Sequence, residues 1–329
     1  MQQQMPGVPL SLLEAAQKEG TVMVYAGTWT SAQNALDAGF EKVFPFVKVQ
    51  LYTADTGQRD ARFLAEEKAG KHIADVIQET DVGTLESFVK QGLVANYTIS
   101  SSGDYQKSLE DPGYAYPLRV AMVGIAWNTN LVSAAEAQAL NTWQGVTDPT
   151  WKGRAGIVDP AAGGVAYLPW YAWDKLYGQS FIQKVTGNKP QVFSAINPAA
   201  ASLASGSISV LLNASETGLL PLQAKGAPIQ WSLPSPGVGP ATLQAVAANA
   251  PDPSAARLFQ EYTFSAAGYP LWQKDGGAPS RLNYQDQRPI AKQSWYHMPT
   301  TMFSYDAAAA TAAQPQIVNL VHSALGVAK

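Results

Sequence analysis

Glu79, Asp81 and Glu216 are the side chains best suited to proton transfer in this sequence. A glycosidase needs two such carboxyls about 5–10 Å apart; Glu79 with Asp81, opposed by Glu216 across a cleft, could supply them. Solvated loop acids are the competing reading, because carboxylates are mostly exposed. The three histidines, His72, His297 and His322, show no local metal-ligand spacing. The chain has no cysteine, which removes disulfides, thiolate metal sites and cysteine nucleophiles together. Neither a G-x-S-x-G elbow nor a phosphate-binding P-loop is present, and "GVGPAT" at 237–242 lacks the third glycine and the helix of a dinucleotide fingerprint. Nothing in the residue types demands catalysis.

Binding chemistry is better represented. Four turns rich in small and hydroxylated residues each follow an expected strand and precede an expected helix: Gly27-Thr28-Trp29-Thr30-Ser31, Asp55-Thr56-Gly57-Gln58, Asp159-Pro160-Ala161-Ala162-Gly163-Gly164 and Asn213-Ala214-Ser215-Glu216-Thr217. The first amides of a helix lack intrahelical partners and carry the positive end of its dipole. A turn of small residues lets a ligand reach them, although Ser, Thr and Asp also serve simply as N-caps. Trp29 inside such a turn offers either packing or a stacking surface. Arg59 and Arg62 share one helix beside the second turn and could reach an anion, or form an exposed helix face.

These turns need a scaffold, and the hydrophobic pattern supplies one. "TVMVYAG" (21–27) reads as a β-branched strand, followed by a helix with Ala32, Ala35, Leu36 and Phe40 on one face. "FVKVQLYTA" is the next strand, and "YTADTGQRDARFLAEEKAGKHIADVIQETD" (52–81) ends it, turns, forms a helix and enters a third strand. Such β-α-β-α-β order predicts a parallel sheet, with ligands beyond the carboxyl ends of its strands. Residues 104–117 read as loop, and "LRVAMVGIAWNTNLV" (118–132) as one long strand. A second α/β series follows, in which the aromatics of "YLPWYAWDKLY" (167–177) fall at helical spacing and suit a core. "DAAAATAAQPQ" predicts a helix start interrupted by Pro315.

With 329 residues the chain is long enough for about two domains. Residues 18–117 with 242–285 are expected to form one lobe and 118–241 the other, with 286–329 a C-terminal helical segment assigned to neither. A net charge of −3 gives no reason to expect nucleic acid. No apolar run approaches the ~20 residues that span a bilayer. "MQQQMPGVPLSLLEAAQKEG" lacks the basic start and apolar stretch of a signal peptide, so an exported protein is expected here in processed form.

"EGTVMVYAG", "TGQRDARFLAEEKAGKHIADVIQ", "VGIAWNTNLV", "DPTWKGRAGIVDP" and "ANAPDPSAARLFQEYTFSAAGYPLWQKDGGAPSR" resemble, in order, the periplasmic solute-binding proteins of ABC importers. The resemblance is to the type 2 group that includes ferric-ion, thiamine and phosphonate binders, and it runs from about residue 18 to 285. It implies an α/β fold of two Rossmann-like lobes joined by crossing hinge strands, with the ligand cleft between them and closure on the solute. It further implies a monomer, a periplasmic or extracellular location, presentation to a permease in the inner membrane, no cofactor and no catalytic residue. Ferric-binding members use a histidine in the first turn, a glutamate in the third and adjacent tyrosines in the second lobe. Here Trp29 falls where that histidine would, Glu79 matches the glutamate, and Asn213-Ala214-Ser215 stand where the tyrosines would. A hard trivalent ion needs several anionic oxygens, so ferric ion is not the expected solute.

The expected site comprises Thr28, Trp29, Thr30, Thr56, Gly57, Gln58, Arg59, Glu79, Thr80, Gly163, Gly164, Asn213, Ser215 and Glu216. Its amides and Arg59 favour a carboxylate, phosphonate or sulfonate head, its indole a flat part, and its acids an amine; a zwitterion would satisfy both. A polyamine or thiamine-like cation, or an enzyme on this scaffold, are the alternatives.

Overall fold

Among the described residues ten strands carry the β-branched and aromatic runs: β1 (Thr21–Ala26), β2 (Lys48–Thr53), β3 (Val76–Glu79), β4 (Ala115–Val120), β5 (Val123–Asn128), β6 (Ala155–Val158), β7 (Gln191–Phe193), β8 (Val210–Ser215), β9 (Ile229–Ser232) and β10 (Ala241–Val246). The computed structural model describes residues 5, 7–27, 30–105, 113–282 and 284–327. The chain divides into two compact units, Met1–Val120 with Ala241–Arg288, and Ala121–Pro240 with Pro289–Lys329.

The first unit holds a five-stranded mixed sheet of order β2-β1-β3-β10-β4. β1 runs parallel to β2 and β3, while β10 is antiparallel to both β3 and β4. Its helices are α1 (Leu10–Glu19), α2 (Thr30–Val43), α3 (Thr56–Lys68), α4 (Val82–Lys90), α10 (Pro253–Thr263) and α11 (Tyr269–Gly276). Gly20 ends α1 in the left-handed region at φ 77°, which turns the chain directly into β1. Phe40, Phe44, Phe259 and Tyr262 meet edge-on or tilted in the core, with centroids 5.1–6.0 Å apart.

The second unit holds a sheet of order β7-β6-β8-β5-β9. Its helices are α5 (Ala134–Ala139), α6 (Gly164–Tyr177), α7 (Gln179–Gly187), α8 (Ile196–Ser205), α9 (Glu216–Gln223) and α12 (Ala307–Leu325). The aromatics of α6 face inward as their spacing predicts: Trp173 meets Trp143 at 5.7 Å and Trp170 at 5.0 Å, both edge-on.

Four local expectations change. The run 118–132 is not one strand: β4 ends at Val120 in the first sheet and β5 begins at Val123 in the second. β4 starts at Ala115, inside the expected loop, and carries Pro117 opposite Leu243. An edge strand tolerates proline, because one side of its backbone needs no ladder donor. Asn213-Ala214-Ser215 is not a turn but the end of β8, with Ala214 opposite Gly124 and Ser215 opposite Val123. Finally, α12 continues through Pro315, with Ile317 and Val321 buried in the second unit's core. An interior proline costs ~3 kcal/mol, a loss that apolar burial on this scale offsets.

Candidate functional site

β1, β2 and β3 all end on one edge of the first sheet. The connection from β1 leads outward to β2, and the connection from β2 returns past β1 to β3, so strand order reverses between β1 and β3. Crevices beyond the carboxyl ends of strands at such a reversal are where open α/β sheets take ligands. A pocket of about 140 Å3 lies there, lined by Gly27, Ala54, Asp55, Thr56, Arg59, Gln78, Thr80 and Thr242. Because β10 runs antiparallel, its first residues reach this edge too, which places Thr242 among the lining.

The β2–α3 turn forms one wall. Asp55 occupies the N-cap of α3 in extended conformation, yet its carboxylate accepts no hydrogen bond from the first helical turn. Asp81, by contrast, accepts from the Thr84 N–H at 3.0 Å and caps α4, and Asp306 accepts from Ala309 at 2.8 Å and caps α12. The first amides of α3 are thus left without a side-chain cap beside the pocket. The Thr56 hydroxyl meets that of Thr80 at 3.1 Å across the turns. Gly57 is exposed, and a Cβ there would meet nothing within 4 Å. Gly57 is absent from the glycines of positive φ, so its place in the turn rests on openness and not on a strained backbone. Gln58 is exposed on the same turn.

Arg59 is not a free cation. Its Nη2 donates to Glu79 Oε2 at 2.6 Å and to Asp60 Oδ1 at 3.2 Å, with Arg59 3% and Glu79 1% exposed. The other Glu79 oxygen accepts the N–H groups of Thr80 and Asp81, each at 2.6 Å. Burial pushes the Glu79 carboxyl up, while Arg59 and the Asp81 amide favour its anion. Three short donors on two oxygens decide for the ion pair. Arg62 is engaged as well, donating to Glu66 at 2.7 Å and lying 4.1 Å from the centroid of the Tyr52 ring.

Behind the pocket runs a chain of buried amides that sequence reasoning missed. Gln78 on β3 donates to Gln33 on α2 at 2.7 Å and to Gln244 on β10 at 3.0 Å. Gln244 donates in turn to Gln260 on α10 at 2.9 Å. The available signal was a glutamine at each of two otherwise apolar strand positions, "VIQE" and "ATLQAV". Thr242, also missed, accepts from Arg119 Nε at 3.1 Å; burial pulls the Arg119 guanidinium down to about 10.

Of the remaining candidates, Thr28 and Trp29 lie outside the described residues, and Thr30 begins α2. In the second unit, Gly163 and Gly164 precede and open α6 with φ of 72° and 48°, values that suit glycine. A Cβ on Gly164 would meet nothing within 4 Å. Asn213 is turned inward: it exchanges hydrogen bonds with the Val158 backbone at 2.8 and 2.9 Å and donates to Ala166 O at 3.1 Å. That tie fixes β8 against β6 and α6, and it takes both amide protons. Ser215 meets Thr217 Oγ1 at 2.9 Å, and Glu216, 2% exposed, accepts the Trp231 indole N–H at 3.0 Å. Glu79, Asp81 and Glu216 are therefore all committed to bonds within their own unit. Among the histidines, His322 pairs with Asp159 at 2.8 Å and His72 with Glu67 at 3.0 Å.

Two five-stranded mixed sheets covered by helices give the type 2 periplasmic-binding-protein fold, and solved structures share it. A putative extracellular solute-binding protein from Bordetella parapertussis aligns with TM-score 0.79 at 13% identity, over 94% of this chain and 99% of that one. The Trichodesmium protein IdiA (FutA), in complex with iron and citrate, aligns with TM-score 0.74 at 18% identity, over 93% and 99%. AfuA from Actinobacillus pleuropneumoniae, with fructose-6-phosphate bound, gives 0.62 at 18%, over 94% and 99%. A search of curated proteins returns no match. The profile of bacterial extracellular solute-binding proteins matches residues 21–277, and the chain belongs to that family. It is an extracellular solute-binding protein, of a family that is generally non-catalytic. Among the described residues no helix is long and apolar enough to cross a membrane.

Proposed function

We propose that this protein captures a small organic anion or zwitterion, carrying a carboxylate, phosphonate or sulfonate head, and delivers it to an inner-membrane permease without chemical change. The observation that carries the reading is the uncapped N-terminus of α3 beside a pocket lined by the hydroxylated residues Thr56, Thr80 and Thr242. Uncapped amides with the positive end of a helix dipole favour a negative group. Asp55 also lines the pocket, and its carboxylate is not spent on the cap. It suits the amine of a zwitterion. Arg59 acts as the floor of the site and not as its anchor, since Glu79 already neutralises it.

Ferric ion fits these residues poorly. Glu79, the match to the family's iron-ligating glutamate, is held by Arg59 and two amides, and Asn213 is spent on Val158 and Ala166. Native mass spectrometry of the purified protein tests the reading, and an anionic or zwitterionic solute travelling with it is the expected result. Recovery of a polyamine or thiamine-like cation would overturn it. So would a unit-stoichiometric tyrosinate-to-iron band in the visible on titration with ferric citrate.

A further inference from the structure

The direction of the Gln78 amide follows from neighbours that have no choice of role. An indole N–H only donates and a backbone carbonyl only accepts. Trp272 Nε1 donates to Gln33 at 3.4 Å, so the Gln33 atom it meets, which is also the atom facing Gln78, is the oxygen. On the other side Gln260 Nε2 donates to the Gln244 backbone oxygen at 3.0 Å, so Gln260 Oε1 takes Gln244 Nε2. Gln244 therefore turns its own Oε1 towards Gln78 at 3.0 Å. Two oxygens face one end of Gln78, and that end must be its NH2 group.

Both protons of Gln78 are thus consumed inside the unit, at 2.7 and 3.0 Å. What remains is Oε1, on a side chain 2% exposed that lines the pocket. Among the described residues no donor is bonded to that oxygen. A nearly buried carbonyl oxygen without a donor favours any ligand that brings one, and it penalises a ligand that cannot. We propose that Gln78 is a specificity-determining residue that presents its carbonyl oxygen to the pocket and selects solutes with an O–H or N–H donor. The substrate class is then a hydroxylated or aminated organic anion, with its charged head at the α3 amides and its donor group at Gln78. Gln33 and Gln244 are positioning residues that hold the amide in that sense. The proposal rests on the reading of this pocket as the solute site.

The test uses the full chain and two readouts. In the solute-free protein, the Gln78 side-chain amide protons, followed by NMR, are expected to exchange with solvent at least about tenfold more slowly than those of exposed Gln58, as two internal hydrogen bonds require. Exchange as fast as that of Gln58 means the NH2 group faces the pocket, and overturns the proposal whatever the solute. Calorimetry then compares congeners that differ by one donor group: lactate with propionate, β-alanine with propionate, and 2-hydroxypropyl phosphate with propyl phosphate. The donor-bearing member is expected to bind at least about tenfold tighter, and Gln78→Leu to bring the ratio close to one. Equal or tighter binding of the donor-less member refutes the proposal, and so does a ratio unchanged in folded Gln78→Leu. Slow exchange with binding of ethanolamine or putrescine but of no anionic probe would leave the donor requirement standing and overturn the anion reading alone.

Discussion

Glu79→Gln separates a structural carboxylate from one reserved for a ligand. In the native unit the Glu79 oxygens only accept: Oε2 from Arg59 at 2.6 Å, and Oε1 from two backbone amides at 2.6 Å. Glutamine has one acceptor and one donor end, so either orientation sets its NH2 against existing donors. If the oxygen faces Arg59, the Thr80 and Asp81 amides lose their acceptor; if it faces the amides, the guanidinium meets an NH2. Among the described residues Asp60, 3.2 Å from Arg59, is the counter-charge that remains in contact with it. Breaking a buried ion pair by removing one partner costs about 3–5 kcal/mol. In a unit of this size that corresponds to about 6–20 °C in melting temperature. Urea denaturation of solute-free protein, followed by tryptophan fluorescence, measures the loss directly. A change below about 1 kcal/mol, the range of an exposed pair, would refute the reasoning. A more stable Glu79→Gln that has lost solute affinity would identify Glu79 as a ligand group held at a cost to stability.

Burial pushes the Asp37 carboxyl up to about 7, against the Gln33 hydrogen bond that favours its anion. A folded value above the ordinary 3.8 means that the folded state binds the proton more tightly, so this group's contribution to stability rises as pH falls through about 7. Asp37→Asn should flatten that slope in urea midpoints collected from pH 8 to 5; an unchanged slope would show that Asp37 ionises normally. Gly57→Val, on an exposed position with open space around it, should leave the fold intact and weaken binding of the co-purifying solute about tenfold or more by obstructing the α3 amides. Calorimetry giving wild-type affinity would remove that turn from the site. Trp173→Ala, at a fully buried position, should cost about 3–5 kcal/mol in thermal unfolding. The folded fraction should bind normally; lost affinity in a fully folded sample would make Trp173 part of the site.

The alternation of strand and helix was legible because it depends on local periodicity. The order of "TVMVYAG", a helix, "FVKVQLYTA", a second helix and "ADVIQET" is enough to require a parallel β1-β2-β3 core. The turn before α3 was legible for the same reason, since small and hydroxylated residues at a strand-to-helix junction have local chemistry. Where local signal and sheet assignment diverged, the sequence misled. The apolar run 118–132 reads as one strand, although its halves pair in different sheets, and Pro117 reads as loop, although an edge position accepts it. Side-chain partnership was beyond the sequence altogether. Arg59 and Glu79 are 20 positions apart, Gln78 and Gln244 are 166 apart, and only strand register and helix packing bring each pair within hydrogen-bond reach. The sequence by itself determined which groups could bind or carry charge. Tertiary structure decided which of them are already spent on one another, because a hydrogen bond or ion pair is settled by distances that chain spacing does not contain.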